Sequence, residues 1–174
     1  WLHMNFLTGN LCSLLAMLAD SFSASRKTSK GMLLSQIVSQ FFYGLGTFLL
    51  GGYSASVQNV VSILRNLAAI FKIDKKWLEW TLILLGVVFG FAFNTLGVVG
   101  LLPILANLEY SILIFYYKDN ERALKWSFLV NVILFAIFNI FILNIMGIIS
   151  NVVVLVMLIR YLLTNPKIKK ESFS

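Results

Sequence analysis

The chain has 174 residues, of which 59% are hydrophobic and only 12% charged, with a formal net charge of +7. A soluble domain carries about 25% charged residues, and the apolar residues here run on continuously instead of forming amphipathic faces. That excludes a soluble globular protein and leaves an integral membrane protein, with the positive charge read as a signal of membrane orientation and not of nucleic-acid binding.

The first apolar segment covers roughly 5–22; Met4 is the expected start, and without a basic n-region or small-residue cleavage site no cleavable leader is expected. Three further blocks, 31–71, 81–117 and 126–164, are each too long for one crossing, since a 40-residue helix would rise about 60 Å. Each therefore doubles back, at "GGYS" 51–54, "NTLG" 94–97 and "NIMG" 144–147. The result is seven spans near 5–22, 31–50, 54–71, 78–94, 98–117, 126–143 and 147–164, followed by a cytoplasmic tail, 165–174.

Charge tests that count. With seven spans, Arg26, Lys27, Lys30, Lys72, Lys75, Lys76, Lys118, Arg122, Lys125, Lys167, Lys169 and Lys170 all fall on one face. Arg65 and Arg160 lie inside spans, and the opposite face has no basic residue. Positive loops stay cytoplasmic, so the amino terminus is expected outside and the carboxyl terminus inside. Trp77, Trp80, Trp126, Tyr116 and Tyr117 gather at the same boundary, as an aromatic belt does.

A shift of 92 residues carries Arg26 onto Lys118, Lys30 onto Arg122, Ser35 onto Ser127, Ser39 onto Asn131 and Asn59 onto Asn151. The fold expected is thus all-α: a three-helix repeat over 5–71, a linker helix over 78–94 and a second three-helix repeat over 98–164, parallel to the first. The glycines of the linker, Gly86 and Gly90, would let another helix approach closely, either in its own bundle or in a homo-oligomer.

Polar residues concentrate inside these spans. Gln58, Ser62, Arg65 and Asn66 form one helical stripe with Asn59 beside it, span 2 repeats the theme with Gln36, Ser39, Gln40 and Tyr43, and span 6 adds Asn131 and Asn139. Hydrocarbon offers an amide no partner, so the stripe faces the bundle interior or a wet cavity. There it either lines a path for a small polar solute or bonds helix to helix. Arg65, unless it snorkels, is expected to pair with Glu109 or Asp20 as a cytoplasmic-side gate, while Arg160 is expected to snorkel.

The stretch "FFYGLGTFLLGGYSASVQNVVSILRNL" resembles the YgjV-like bacterial inner-membrane family in Phe48, Leu49, Leu50, Gly51, Tyr53, Ala55, Asn59, Ile63 and Arg65. "GLLPILANLEYSILIFYYKD" and the closing "IRY" agree with that family in order. The resemblance implies the bacterial plasma membrane. More distantly the chain is similar to the SWEET, PQ-loop and PnuC transporters. That resemblance implies a 3+1+3 bundle in which Asn59 and Asn151 bind substrate at mid-membrane, with Pro103 as the one hinge proline.

The expectation is a transporter, facilitative or proton-linked, whose partners are the lipid bilayer and a small polar solute. Asn59, Asn151, Gln36, Gln40, Gln58, Ser62, Tyr43 and Asn131 would meet the solute, with Arg65, Glu109 and Asp20 as the charge pair or gate. The alternatives are a non-transporting binding or scaffold protein on the same fold, and a lipid-moving protein. No catalytic residue, metal ligand or cofactor is expected: His3 stands in the amino-terminal tail, Cys12 has no evident base, and no phosphate loop or metal spacing occurs.

Overall fold

A computed structural model describes residues 2–73, 75–117 and 119–164. The tail 165–174, with Lys167, Lys169 and Lys170, lies outside the described residues, as does Lys118. Seven helices follow in order: α1 (Leu2–Ser25), α2 (Ser29–Leu49), α3 (Tyr53–Ile70), α4 (Lys76–Ala92), α5 (Leu101–Tyr117), α6 (Glu121–Phe141) and α7 (Ile145–Thr164). Four are long and apolar enough to cross a membrane on length and composition: α1 over His3–Ser25, then α2, α6 and α7.

Local chemistry places the ends. Thr28 caps α2 by accepting from Gly31 N at 3.3 Å, and Asn120 caps α6 by accepting from Ala123 N at 3.1 Å. Gly51 and Gly97 take left-handed φ values of +80° and +58° in the turns that reverse the chain. Several expected boundaries move: α1 runs Leu2–Ser25 instead of 5–22, which makes His3 a helical residue, and α5 and α6 start elsewhere. Asn94 wraps its own loop, accepting from Leu96 N at 3.0 Å and donating to Gly97 O at 2.8 Å, so α5 starts at Leu101 instead of 98. Pro103 therefore sits in the first turn of α5, where a missing N–H costs nothing, and it is not a hinge. The Asn120 cap likewise starts α6 at Glu121 instead of 126, which makes Arg122 and Lys125 helical residues.

Neighbouring helices close a ring. α1 packs on α2, α2 on α3, α3 on α5, α5 on α6, α6 on α7 and α7 on α1, while α4 stands against α3 and α5. Among the described residues, the connecting segments 26–28, 71–73 and 119–120 gather at one end, called here the basic end. Lys72 and Asp119 join two of them at 3.8 Å. The ring's outer surface is apolar, with Phe41, Leu64, Phe91, Val130 and Val156 all exposed, and the aromatic belt residues Trp77, Trp80, Trp126, Tyr116 and Tyr117 are exposed as well. Among the described residues, buried polar side chains are as numerous as buried apolar ones. Polar inside and apolar outside is the distribution hydrocarbon imposes.

Gly86 and Gly90 are buried where α4 meets α3 and α5. A Cβ on Gly90 would stand 2.8 Å from Ile104 Cγ1, and one on Gly86 would stand 3.3 Å from Asn107 Nδ2. Close packing of α4 on its own bundle thus accounts for the glycine pair.

Candidate functional site

The polar interior surrounds a central cavity. Its volume, measured as space open to the centre of a water molecule, is about 50 Å³, which is room for roughly four waters at ~10–15 Å³ each. Asp20 of α1 lines it, with Gln36, Ser39, Gln40, Tyr43 and Thr47 of α2 and Asn59, Ser62 and Arg65 of α3. From the other side come Tyr110 of α5, then Phe128, Asn131, Val132, Phe135 and Asn139 of α6, and Asn151 of α7.

Helical spacing explains why these residues meet. Asn59, Ser62 and Arg65 project from one face of α3, and Gln36, Ser39, Gln40, Tyr43 and Thr47 from one face of α2. Nothing on those faces is charged except Arg65, whose side chain is 1% exposed. Its Nη1 donates to Asn107 Oδ1 at 2.5 Å and to Ser111 Oγ at 2.9 Å, and its Nε donates to Asn66 Oδ1 at 3.2 Å. The guanidinium lies 4.8 Å from the Tyr110 ring centroid. Its Nη2 is buried without a hydrogen-bond partner, and so is Asn151 Nδ2.

Around Arg65 the amides form a network. Gln36 Nε2 donates to Tyr110 Oη at 2.7 Å, and Asn66 Nδ2 donates to Gln36 Oε1 at 3.2 Å and to Gln40 Oε1 at 3.4 Å. Ser62 Oγ donates to Asn107 Oδ1 at 2.7 Å. Near the other end Asn59 Nδ2 donates to Ala55 O at 2.9 Å, Asn131 Nδ2 donates to Ala106 O at 3.0 Å, and Tyr43 Oη hydrogen-bonds Ser150 Oγ across the cavity.

Of the expected solute-contacting residues, the cavity gathers Asn59, Asn151, Gln36, Gln40, Ser62, Tyr43 and Asn131. Gln58 departs. It faces α4 and α5, donating to Gly86 O at 2.7 Å and accepting from Asn107 Nδ2 at 2.6 Å, because the α4 glycines expose a backbone carbonyl to it. The expected charge pair is also corrected. Among the described residues no carboxylate lies within 4.0 Å of Arg65, which is buried among neutral partners and does not snorkel. Glu109 is not among the cavity-lining residues and accepts the Ser127 hydroxyl at 2.8 and 2.9 Å. Asp20 does line the cavity, without touching Arg65. Arg160 is exposed near the end of α7.

The partners of Arg65 were not anticipated. Asn107 and Ser111 stand four apart on α5 as an inward polar pair, a pattern visible in "ANLEYS" once Arg65 is known to point inward. Lys125, expected in a loop, is wholly buried one turn into α6. Its Nζ donates to Ala24 O at 2.6 Å and Arg26 O at 2.9 Å, lies 3.1 Å from Glu121 Oε1 and sits 3.3 Å from the Tyr161 ring centroid.

Comparison with curated proteins and with solved structures finds no significant match. A family model described as "Imp-YgjV: Bacterial inner membrane protein" matches residues 7–165, which takes in all seven helices apart from the first turn of α1. An apolar exterior, a polar interior and that match agree, and the chain belongs to the Imp-YgjV family of bacterial inner membrane proteins.

Proposed function

We propose that this protein moves a small polar solute across the inner membrane through the central cavity, between two three-helix repeats related by a twofold axis along the membrane normal. In this reading all seven helices cross the bilayer, with the basic end cytoplasmic and the amino terminus outside. Support comes first from the ring itself: exchanging α1, α2 and α3 with α5, α6 and α7 leaves the set of neighbouring ring helices unchanged.

The cavity lining carries the reading further. Gln36 and Phe128, Ser39 and Asn131, Gln40 and Val132, Tyr43 and Phe135, Thr47 and Asn139, and Asn59 and Asn151 are all cavity pairs, each separated by the same 92 residues. A binding site on a pseudo-twofold axis requires that arrangement. The single observation that weighs most is the pair of buried donors with no partner, Arg65 Nη2 and Asn151 Nδ2, both on cavity-lining side chains. Helix-to-helix glue would have satisfied them.

Accessibility tests the path without knowing the solute. In a Cys12→Ser background, Ser39→Cys and Thr47→Cys are treated with a membrane-impermeant cationic thiosulfonate in right-side-out and inside-out vesicles. A transporter exposes the cavity to each face in turn, so both preparations label. Labelling from one face only, or from neither, would replace transport with a binding or scaffold role.

A further inference from the structure

The two walls of the cavity differ in chemistry although their positions match. On α1, α2 and α3 the lining is polar or charged, with Asp20, Gln36, Gln40 and Arg65. On α6 the positions equivalent to Gln36, Gln40 and Tyr43 are Phe128, Val132 and Phe135. A solute fitting both walls has one strongly polar side and one apolar side.

Charge narrows the class. Arg65 and Asp20 each lie five residues before the ends of α3 and α1, at Ile70 and Ser25, so they stand at one level toward the basic end. Both are buried, 1% and 7% exposed. Among the described residues neither has an opposite charge within 4.0 Å. The hydrogen-bond partners of Arg65 are neutral, the Glu109 carboxylate acting on it only from beyond 4.0 Å, and the partner of Asp20 is the Ser39 hydroxyl. Two opposite charges held in one cavity without meeting are unfavourable unless something between them matches both.

The geometry points to a small zwitterion as the solute: an α-amino acid with a short apolar side chain. Its carboxylate takes the free Nη2 of Arg65, its ammonium group meets Asp20, and its side chain lies against Phe128 and Val132. A simple anion would face Asp20, a simple cation would face Arg65, and a neutral polyol would leave both unmatched. The small volume favours a molecule the size of alanine or valine, admitted by a slight parting of the ring. This inference rests on the cavity being a solute site, as proposed above.

The test uses the purified full chain in lipid nanodiscs, with unfolding followed by tryptophan fluorescence. The probes are L-alanine with its matched anion propionate and matched cation ethylamine, L-valine with 3-methylbutanoate and isobutylamine, and glycerol. At ten times half-saturation a bound amino acid should raise Tm by about 3–6 °C, with the others below ~1 °C by the same scale. Asp20→Asn should weaken alanine binding at least about tenfold and make propionate a ligand, a switch that loss of packing cannot produce. Arg65→Gln should bind neither.

Stabilisation of the wild type by propionate, ethylamine or glycerol but not by amino acids would overturn the zwitterion. So would no response to any amino acid, or alanine binding unchanged in Asp20→Asn. Should Asp20→Asn fail to fold, the wild-type panel decides alone. If the cavity labels from both faces while no amino acid binds, the solute class fails and the transport reading stands. If it labels from neither and nothing binds, both fail.

Discussion

Replacing Lys125 with methionine should be among the most damaging single changes in this chain. The reason begins at the end of α1, whose last turn contains no basic residue. Helix C-terminal carbonyls lack intrahelical partners and carry the negative end of the dipole. Lys125 supplies the missing cation from α6, binding Ala24 O at 2.6 Å and Arg26 O at 2.9 Å. Glu121 lies within ion-pair distance, although its Oε1 makes no hydrogen bond. Hydrogen bonds to a charged group contribute ~1.5–3 kcal/mol each. Removing one member of a buried pair costs ~3–5 kcal/mol. Methionine keeps the volume and removes the desolvation cost of the ammonium group, so the lower end applies, about 3 kcal/mol. At ~2–4 °C per kcal/mol for a chain of this size, Tm falls by about 6–12 °C. Thermal unfolding in nanodiscs measures this directly. Glu121→Gln added to Lys125→Met should recover part of the loss by removing the orphaned carboxylate. A single-variant shift under about 2 °C on the same scale, or no recovery in the double variant, would show that the contact does not clamp α1 to α6.

Gly90→Ala should destabilise by about 1–3 kcal/mol through overpacking against Ile104, and Gly86→Ala by less, because its nearest neighbours stand at 3.3 Å; a reversed ranking in thermal melts would contradict the close approach of α4. Asn10 Oδ1 accepts from Met146 N at 3.0 Å, capping α7 from α1, so Asn10→Ala should cost ~0.5–2 kcal/mol in the same assay. Asn107→Ala strips Arg65, Ser62 and Gln58 of a shared partner. A double-mutant cycle with Arg65→Met should therefore show coupling of ~0.5–3 kcal/mol, and additivity would mean that Arg65 is held by other contacts.

The seven helices were legible because each doubling point carries glycine or asparagine between long apolar runs. Even there the detail lay elsewhere: beside "NIMG" the left-handed residue is Leu143, and Asn144 serves as the cap of α7 by accepting from Gly147 N at 3.0 Å. The inward polar faces of α2 and α3 were legible too, since an amide at mid-span has nowhere else to go. What sequence could not supply was pairing. Asp20 and Glu109 offered plausible counter-charges for Arg65 on grounds of charge, whereas the fold chose Asn107 and Ser111, which lie closer on the adjoining helix. Gln58 shares a stripe with Ser62 and Arg65, but it stands about two turns along α3 from Arg65, level with the glycine seam of α4, which offers it the Gly86 carbonyl. Lys125 looked like a loop residue because a charge so near a span's end ordinarily reaches water; only the location of the α1 carboxyl end explains its burial.

The sharing of Asn107 has a consequence for how the chain is made. Residues that finish the surroundings of Arg65, namely Asn107, Tyr110 and Ser111, are synthesised about 40 residues after it, several seconds later at ~5–20 residues per second. Until α5 is made, α3 carries a guanidinium, a hydroxyl and an amide, those of Arg65, Ser62 and Gln58, without their shared companion Asn107. The first three helices are then an unfinished bundle until the fifth is made. A chain cut short after α4 should therefore leave Arg65 without the Asn107, Tyr110 and Ser111 contacts that surround it in the finished fold.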